Sequence, residues 1–308
     1  MEEEVWVLSK RREALWVRAR MVQAIRRFFI ERDYLEVETP CRIPTLIPEG
    51  HIDAVASGDW FLHPSPEQCM KRLLAAGFEK IFQICKCFRE GERGSQHLPE
   101  FTILEWYHRE MNYMSLMQEC RELVISISSA VGCGSDIVYQ GNKISLNGAW
   151  EHLSVREAFN RYAPMSLNEA IRGGCFDEVM ACDIEPNLGR ERPTFLYDYP
   201  VCPGVLARSR KDDPGVAERF EFYMAGIELA NAFSELVDAD EHKRRFEKVR
   251  DYRSSMGKSV YPEAERFLGA LDTMPEAAGI ALGVDRMAMI FTDSATIDNV
   301  VTFTPELL

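Results

Sequence analysis

Apolar residues at helical steps open the chain. Leu15, Ala19, Val22, Ile25 and Phe29 recur every three or four positions with Arg18, Arg26 and Arg27 between them, which predicts an amphipathic helix ending at Asp33-Tyr34. An extended run from Leu35 to Thr39 follows and stops at Pro40, and Pro44, Pro48 and Gly50 mark a loop. Ser65-Pro66-Glu67-Gln68 has the make-up of a helix start, with proline in the first turn and an apolar run from Met70 to Ala76 behind it. Residues 80–109 read as a β-hairpin with arms over 80–89 and 100–107 and a polar tip over 90–97 that contains two glycines. A helix is expected over 113–131, a linker or surface hairpin over 132–148, and a long helical stretch over 154–182. A strand is expected over 194–199, two strand segments over 219–235 around Gly226 with a turn at Asn231-Ala232, and a helix over 240–256. A glycine-punctuated strand entering a helix over 278–291 completes the pattern. Strands with flanking helices predict one α+β domain on a mainly antiparallel sheet.

Composition narrows the class. Of 308 residues, 46% are hydrophobic and 28% charged, which excludes a disordered chain. No run reaches the roughly 18 to 20 apolar residues of a membrane span, and the first twelve residues have no apolar leader pattern, so the expected location is cytoplasmic. Thirty-six basic against forty-nine acidic residues leave a net charge of −13, which argues against a protein held on nucleic acid by a general basic field. Nine cysteines form no C-x-x-C pair and no metal-like spacing with histidine, and read as free thiols. The closest pair, Cys85 and Cys87, is expected to face opposite sides of its strand.

Three places carry possible chemistry. On the second hairpin arm Phe101, Ile103, Glu105 and Tyr107 share one strand face, and a carboxylate beside a phenol can hold an ammonium group; the plain alternative is a strand with a solvated polar side. Arg89, at the end of the first arm, has the bidentate fork that suits a phosphate. Glu228 and Glu235 could meet one Mg²⁺ bridging phosphate oxygens, or be unrelated surface groups. In Gly279-Ile280-Ala281-Leu282-Gly283-Val284-Asp285-Arg286, Gly283 permits close approach to the backbone and the following helix start favours anions.

In order along the chain, Leu35 to Pro40, Phe88-Arg89 with His97 to Thr102, and Gly283-Val284-Asp285-Arg286 resemble motifs 1, 2 and 3 of class II aminoacyl-tRNA synthetases. Glu228 to Leu236 and Leu104-Glu105-Trp106-Tyr107 are similar to the lysyl branch. Motif 1 begins almost at once, leaving no room for the N-terminal anticodon-binding OB domain of lysyl-tRNA synthetases, so the resemblance is to the truncated paralogues that modify elongation factor P. Ala281 stands where true lysyl enzymes have glycine. Two positions differ from the lysyl pattern: Arg89-Glu90-Gly91-Glu92 has glycine where Arg-x-Glu has its acid, and Leu98 replaces a common asparagine.

The resemblance implies a homodimeric ATP-dependent ligase with Mg²⁺. It would activate (R)-β-lysine or lysine as an adenylate and pass it to a lysine of elongation factor P, with tRNA not expected as a partner. Ser65-Pro66-Glu67 would bind the amino group, Glu105 and Tyr107 the side-chain ammonium, and Asn231, Glu235 and Ala281 the rest of the amino acid. Arg89 and Arg286 would be catalytic, and Phe101 would stack on adenine. Glu90, Gly91, Glu92, His97, Leu98, Glu228, Leu229 and Gly283 would complete the ATP site, and Glu228 with Glu235 would hold Mg²⁺. No base for the acceptor amine is identified. An RNA or other carrier as acceptor, or a non-catalytic regulatory paralogue, stays open at this point.

Overall fold

The computed structural model describes residues 2–201 and 206–308. In chain order its elements are α1 (Glu2–Lys10), α2 (Arg12–Ile30), β1 (Leu35–Glu36), β2 (Arg42–Ile43), β3 (Ala56–Ser57), β4 (Trp60–Leu62), α3 (Glu67–Ala75), β5 (Lys80–Phe88), β6 (Glu100–Arg109), α4 (Tyr113–Val131), β7 (Asp136–Tyr139), β8 (Asn142–Ser145), β9 (Glu151–Ser154), α5 (Val155–Tyr162), α6 (Leu167–Gly173), α7 (Phe176–Val179), β10 (Thr194–Pro200), β11 (Val216–Met224), β12 (Ile227–Ser234), α8 (Ala239–Ser255), α9 (Glu265–Leu271), β13 (Ala277–Gly283) and α10 (Val284–Phe291).

Eight strands form one sheet in the order β1-β5-β6-β13-β12-β11-β10-β9. The six central strands pair antiparallel, and a parallel strand closes each end, β1 on β5 and β9 on β10. The α+β reading with a mainly antiparallel sheet therefore holds, with mixed edges.

One face of the sheet is dry. Phe82, Leu104, Trp106, Ile280, Leu282 and Ala232 pack against α2, α4 and α10 in the largest apolar core. α4 begins where Asn112 Oδ1 accepts from Ser115 N at 3.0 Å and ends at Gly132, whose φ of 85° suits a residue without Cβ. Its Glu119 accepts from the Trp106 indole at 2.8 Å, fixing the helix to the middle of β6. The opposite face is covered only in part, at one end by α3, α8 and α9 around Met70, Leu74, Phe246 and Phe267, and at the other by α5, α6 and α7 around Leu153, Leu196 and Tyr223. The uncovered part of that face is the cleft described below.

Three expectations change. The stretch 154–182 is not one helix: capping boxes at Ser154 and Ser166 start separate short helices, α5 and α6, and α7 passes into a π turn over Met180–Ile184. Asn231-Ala232 is not a turn, because the reversal falls at Ala225-Gly226 and both residues sit inside β12. Cys85 and Cys87 face the same side of β5, since residues two apart on a strand share a face, and their sulfurs lie 4.0 Å apart.

A candidate active site on the open sheet face

The antiparallel register builds the site. Glu221, Asn231, Ala281, Glu105 and Gln83 lie directly opposite one another in a row across β11, β12, β13, β6 and β5. The adjacent row is Arg219, Phe233, Gly279, Tyr107 and Ile81. Paired residues share a face, so all of these project to the same side, most of them into a cleft of about 360 Å³.

β12 carries a bulge. Phe222 stands opposite Ala230 and Tyr223 opposite Glu228, leaving Leu229 unpaired. The extra residue re-aims the strand, which puts Glu228 on the face of Asn231 despite their odd spacing. Without it Glu228 would point into the apolar core.

At one end the cleft is acidic. Glu105 is buried, and accepts from Ser65 Oγ at 2.6 Å and from Tyr107 OH at 2.8 Å. Burial, and then the charge of Glu67, raise its carboxyl to about 8. Ser65 Oγ also accepts from Glu67 N at 3.0 Å at the entry to α3, which starts at Glu67 one residue later than its sequence suggests. One turn on, Lys71 is fully buried between Glu67 and Glu235; its Nζ lies 2.5 Å from Glu235 Oε2. Burial opposes the charge on Lys71, but Glu235 and Glu67 hold it on. Two carboxyls thus hold the one ammonium, and the third, Glu105, has only Ser65 and Tyr107 as partners among the described residues. Nothing in the periodicity singled out Lys71; the only sequence signal was a lysine four residues after Glu67 on the same helix face. Gly279 is the other residue overlooked. A Cβ there would sit 2.2 Å from the Tyr107 ring and 2.7 Å from Glu235 Oε1, so only glycine lets Tyr107 lie flat across β13.

At the other end lie arginines. The Arg89 guanidinium is 4.9 Å from the Phe101 ring centre and 3.7 Å from Glu92. Arg286 donates to Glu228 O at 2.9 Å, to Glu228 Oε2 at 3.3 Å and to Gln96 O at 3.2 Å, and meets His97 Nε2 at 2.5 Å. Burial and the charge of Arg286 lower the His97 pKa, which suits a neutral ring accepting that bond. Asp285, beside Arg286, accepts from Thr102 N at 2.7 Å and from Arg18 of α2 at 2.8 Å, so α10, β6 and α2 are tied at one carboxylate.

Most expected site residues line the cleft: Ser65, Glu67, Arg89, Glu92, His97, Leu98, Phe101, Glu105, Tyr107, Glu228, Leu229, Asn231, Ala281, Gly283 and Arg286. Leu98 does so while packing into the main core. Pro66, Glu90, Gly91 and Glu235 are not on the wall; Glu235 is buried against Gly279 on the side of the Tyr107 ring. The pairing of Glu228 with Glu235 on one ion does not fit: the two stand at opposite ends of β12, roughly 20 Å apart at about 3.3 Å per residue, and Glu235 is committed to Lys71. The carboxylate brought beside Glu228 is Glu221, whose charge, after burial, is the larger influence raising the Glu228 pKa. Glu221 accepts from Tyr199 OH at 2.5 Å, from Tyr223 OH at 2.6 Å and from Arg219 at 2.5 Å. Glu185 adjoins them, raised to about 7 by burial and by Glu221 and Glu228. Hard carboxylate oxygens beside arginines make a donor set for a divalent cation carried with phosphate.

The donor atoms of His63, Cys85 and Cys87 lie within 4.8 Å of one another, a grouping the cysteine spacing did not reveal because His63 comes from the segment that follows β4. His63 Nε2 is already 2.8 Å from Lys86 O. Among the described residues the cysteines are all free thiols.

Known proteins match the sequence along nearly the whole chain. The family described as tRNA synthetases class II (D, K and N) matches residues 5–306. The chain is 38% identical over 324 aligned positions to an elongation factor P–(R)-beta-lysine ligase of Pectobacterium atrosepticum, covering 99% of each chain. It is 36% identical to the protein of that name in Salmonella gallinarum and 37% to that in Mannheimia succiniciproducens, each over 98% of both chains.

Proposed function

The chain belongs to the class II tRNA synthetases (D, K and N), and we propose that within this family it is an ATP-dependent ligase that activates (R)-β-lysine and transfers it to a lysine of elongation factor P. The observation that carries the reading is the acidic end of the cleft. Its three carboxyls, set against the single Lys71 ammonium, match an amino acid with two ammonium groups, and it lies beside an arginine-lined end fit for a nucleotide. The relatives' names support the donor and the acceptor.

Glu67 and Glu105 with Tyr107 would hold the two ammonium groups, placing the substrate carboxylate toward Arg89. Arg89 would neutralise the α-phosphate as the carboxylate attacks in line, and Phe101 and Arg286 would enclose the adenine, with Arg286 reaching the terminal phosphate. Gly283 leaves room for the nucleotide: a Cβ there would meet only Arg286, at 3.7 Å. A divalent cation, Mg²⁺ in this reading, would be held by Glu228 with Glu221 and would supply charge neutralisation on the phosphates. The rate would come from positioning and fixed charges, with no covalent bond to the enzyme.

We read residues 1–308 as one catalytic unit working as a cytoplasmic homodimer. Exposed Trp16, Ile30 and Leu35 around motif 1 support the pairing. The test is mass spectrometry of elongation factor P incubated with enzyme, ATP, Mg²⁺ and (R)-β-lysine. One added aminoacyl group on one lysine is expected; label that passes to tRNA and leaves the factor unchanged would contradict the reading.

A further inference from the structure

The acceptor lysine arrives as an ammonium, with a pKa of about 10.4 when free, and must lose a proton before it can attack. The carboxylates at the cleft are nearly all engaged. Glu67 and Glu235 hold Lys71, and Glu105 accepts from Ser65 and Tyr107. Glu221 accepts from Tyr199, Tyr223 and Arg219, and Glu228 faces Arg286. Glu92 lies against Arg89.

Glu49 differs. It lines the cleft, yet its carboxylate makes no hydrogen bond or ion pair with the described residues. Its charged neighbours are Arg89, Glu67, Arg219 and Glu92. In the proposed reading Arg89 marks the α-phosphate and Glu67 the substrate's amino group, and the reacting carbonyl lies between them. The loop bearing Glu49 is held firmly. Arg253, fully buried, donates to Glu49 O at 2.8 Å, Ile52 O at 2.9 Å and Asp53 Oδ1 at 2.6 Å. A carboxylate on a braced loop, left without a partner beside the reacting centre, is placed to meet something that arrives from outside.

We propose that Glu49 is the acceptor-amine site: it binds the incoming lysine ammonium at the cleft and takes its proton. This rests on the adenylate-and-transfer reading above. The first proton passes from the ammonium to the Glu49 carboxylate, and the neutral nitrogen attacks the adenylate carbonyl. As the C–N bond forms and the C–O bond to phosphate breaks, the second proton leaves the nitrogen for the departing phosphate oxygen. AMP leaves as its monoanion, an amide remains, and Glu49 returns its proton to solvent. Burial, opposed by Arg89 and reinforced by Glu67, lifts the Glu49 carboxyl above the ordinary range, which brings it closer to a base suited to neutral pH.

The test separates the half-reactions, using full-length enzyme with elongation factor P. For Glu49→Gln, amino-acid-dependent ATP–pyrophosphate exchange is expected to stay near the wild-type level. Single-turnover transfer from the enzyme-bound adenylate to the factor is expected to fall by roughly 10² to 10⁴. Hydroxylamine, already neutral at pH 7, should still capture the adenylate at the wild-type rate, and Glu49→Asp should recover part of the transfer. Wild-type transfer should level off at a lower pH than transfer by the Gln variant, which keeps rising toward the amine's own pKa. Transfer by Glu49→Gln at the wild-type rate would overturn the assignment, and so would equal loss of exchange and transfer. A wild-type enzyme that exchanges pyrophosphate but modifies no lysine would overturn the acceptor reading itself.

Discussion

Glu105 shows how much chemistry one buried carboxyl can hold. With its pKa raised to about 8, it is largely protonated in the empty cleft at pH 7. An ammonium bound against it favours the carboxylate, so binding of the amino acid releases a proton. Affinity should therefore weaken as pH falls below 8, approaching tenfold per unit for a single linked proton. Titration calorimetry in buffers of different ionisation enthalpy reads the proton directly, and Glu105→Gln should remove both the proton release and the slope. The sign for folding is opposite. Because folding raises this pKa, the group's contribution to the stability of the empty protein is full below the unfolded value and is lost as pH rises through about 8.

At the scale of elements, the site depends on how strands cross. Gly279 of β13 lies under Tyr107 of β6, and Gly279→Ala would force the ring aside. The expected cost is about 1–3 kcal/mol of stability, with a raised KM for the amino acid and an unchanged KM for ATP; an unaltered amino-acid KM would count against the Tyr107–Glu105 pair as its seat. Local signals showed the β5–β6 hairpin and α4 in the sequence, because turn residues, caps and alternation lie within a few positions of one another. The face shared by Phe101, Glu105 and Tyr107 was legible for the same reason. What depends on cross-strand register was not. The bulge at Leu229 turns Glu228 toward Glu221, and no spacing along one strand announces a partner on the next. Sequence distance suggested Glu235 instead, since seven residues look close when a turn is assumed between them. Lys71, although one turn from Glu67, shows its role only when β12 brings Glu235 to it.

The whole molecule has a dry face and a working face of one sheet. Asp285 links them, since its carboxylate holds Arg18 of the dry-side helix and Thr102 of the hairpin, beside the arginine that faces the cleft. The cleft is divided between an acidic end and a cationic end, a division that no average of the −13 net charge reveals. The two ends together suit the activation of a diammonium amino acid with ATP. The most direct measurement is amino-acid-dependent ATP–pyrophosphate exchange with (R)-β-lysine, L-lysine and neutral amino acids compared side by side. Exchange driven best by (R)-β-lysine, weaker with L-lysine and absent with neutral amino acids is the predicted result. Exchange with neutral amino acids, or silence with every amino acid from protein that binds ATP, would contradict it.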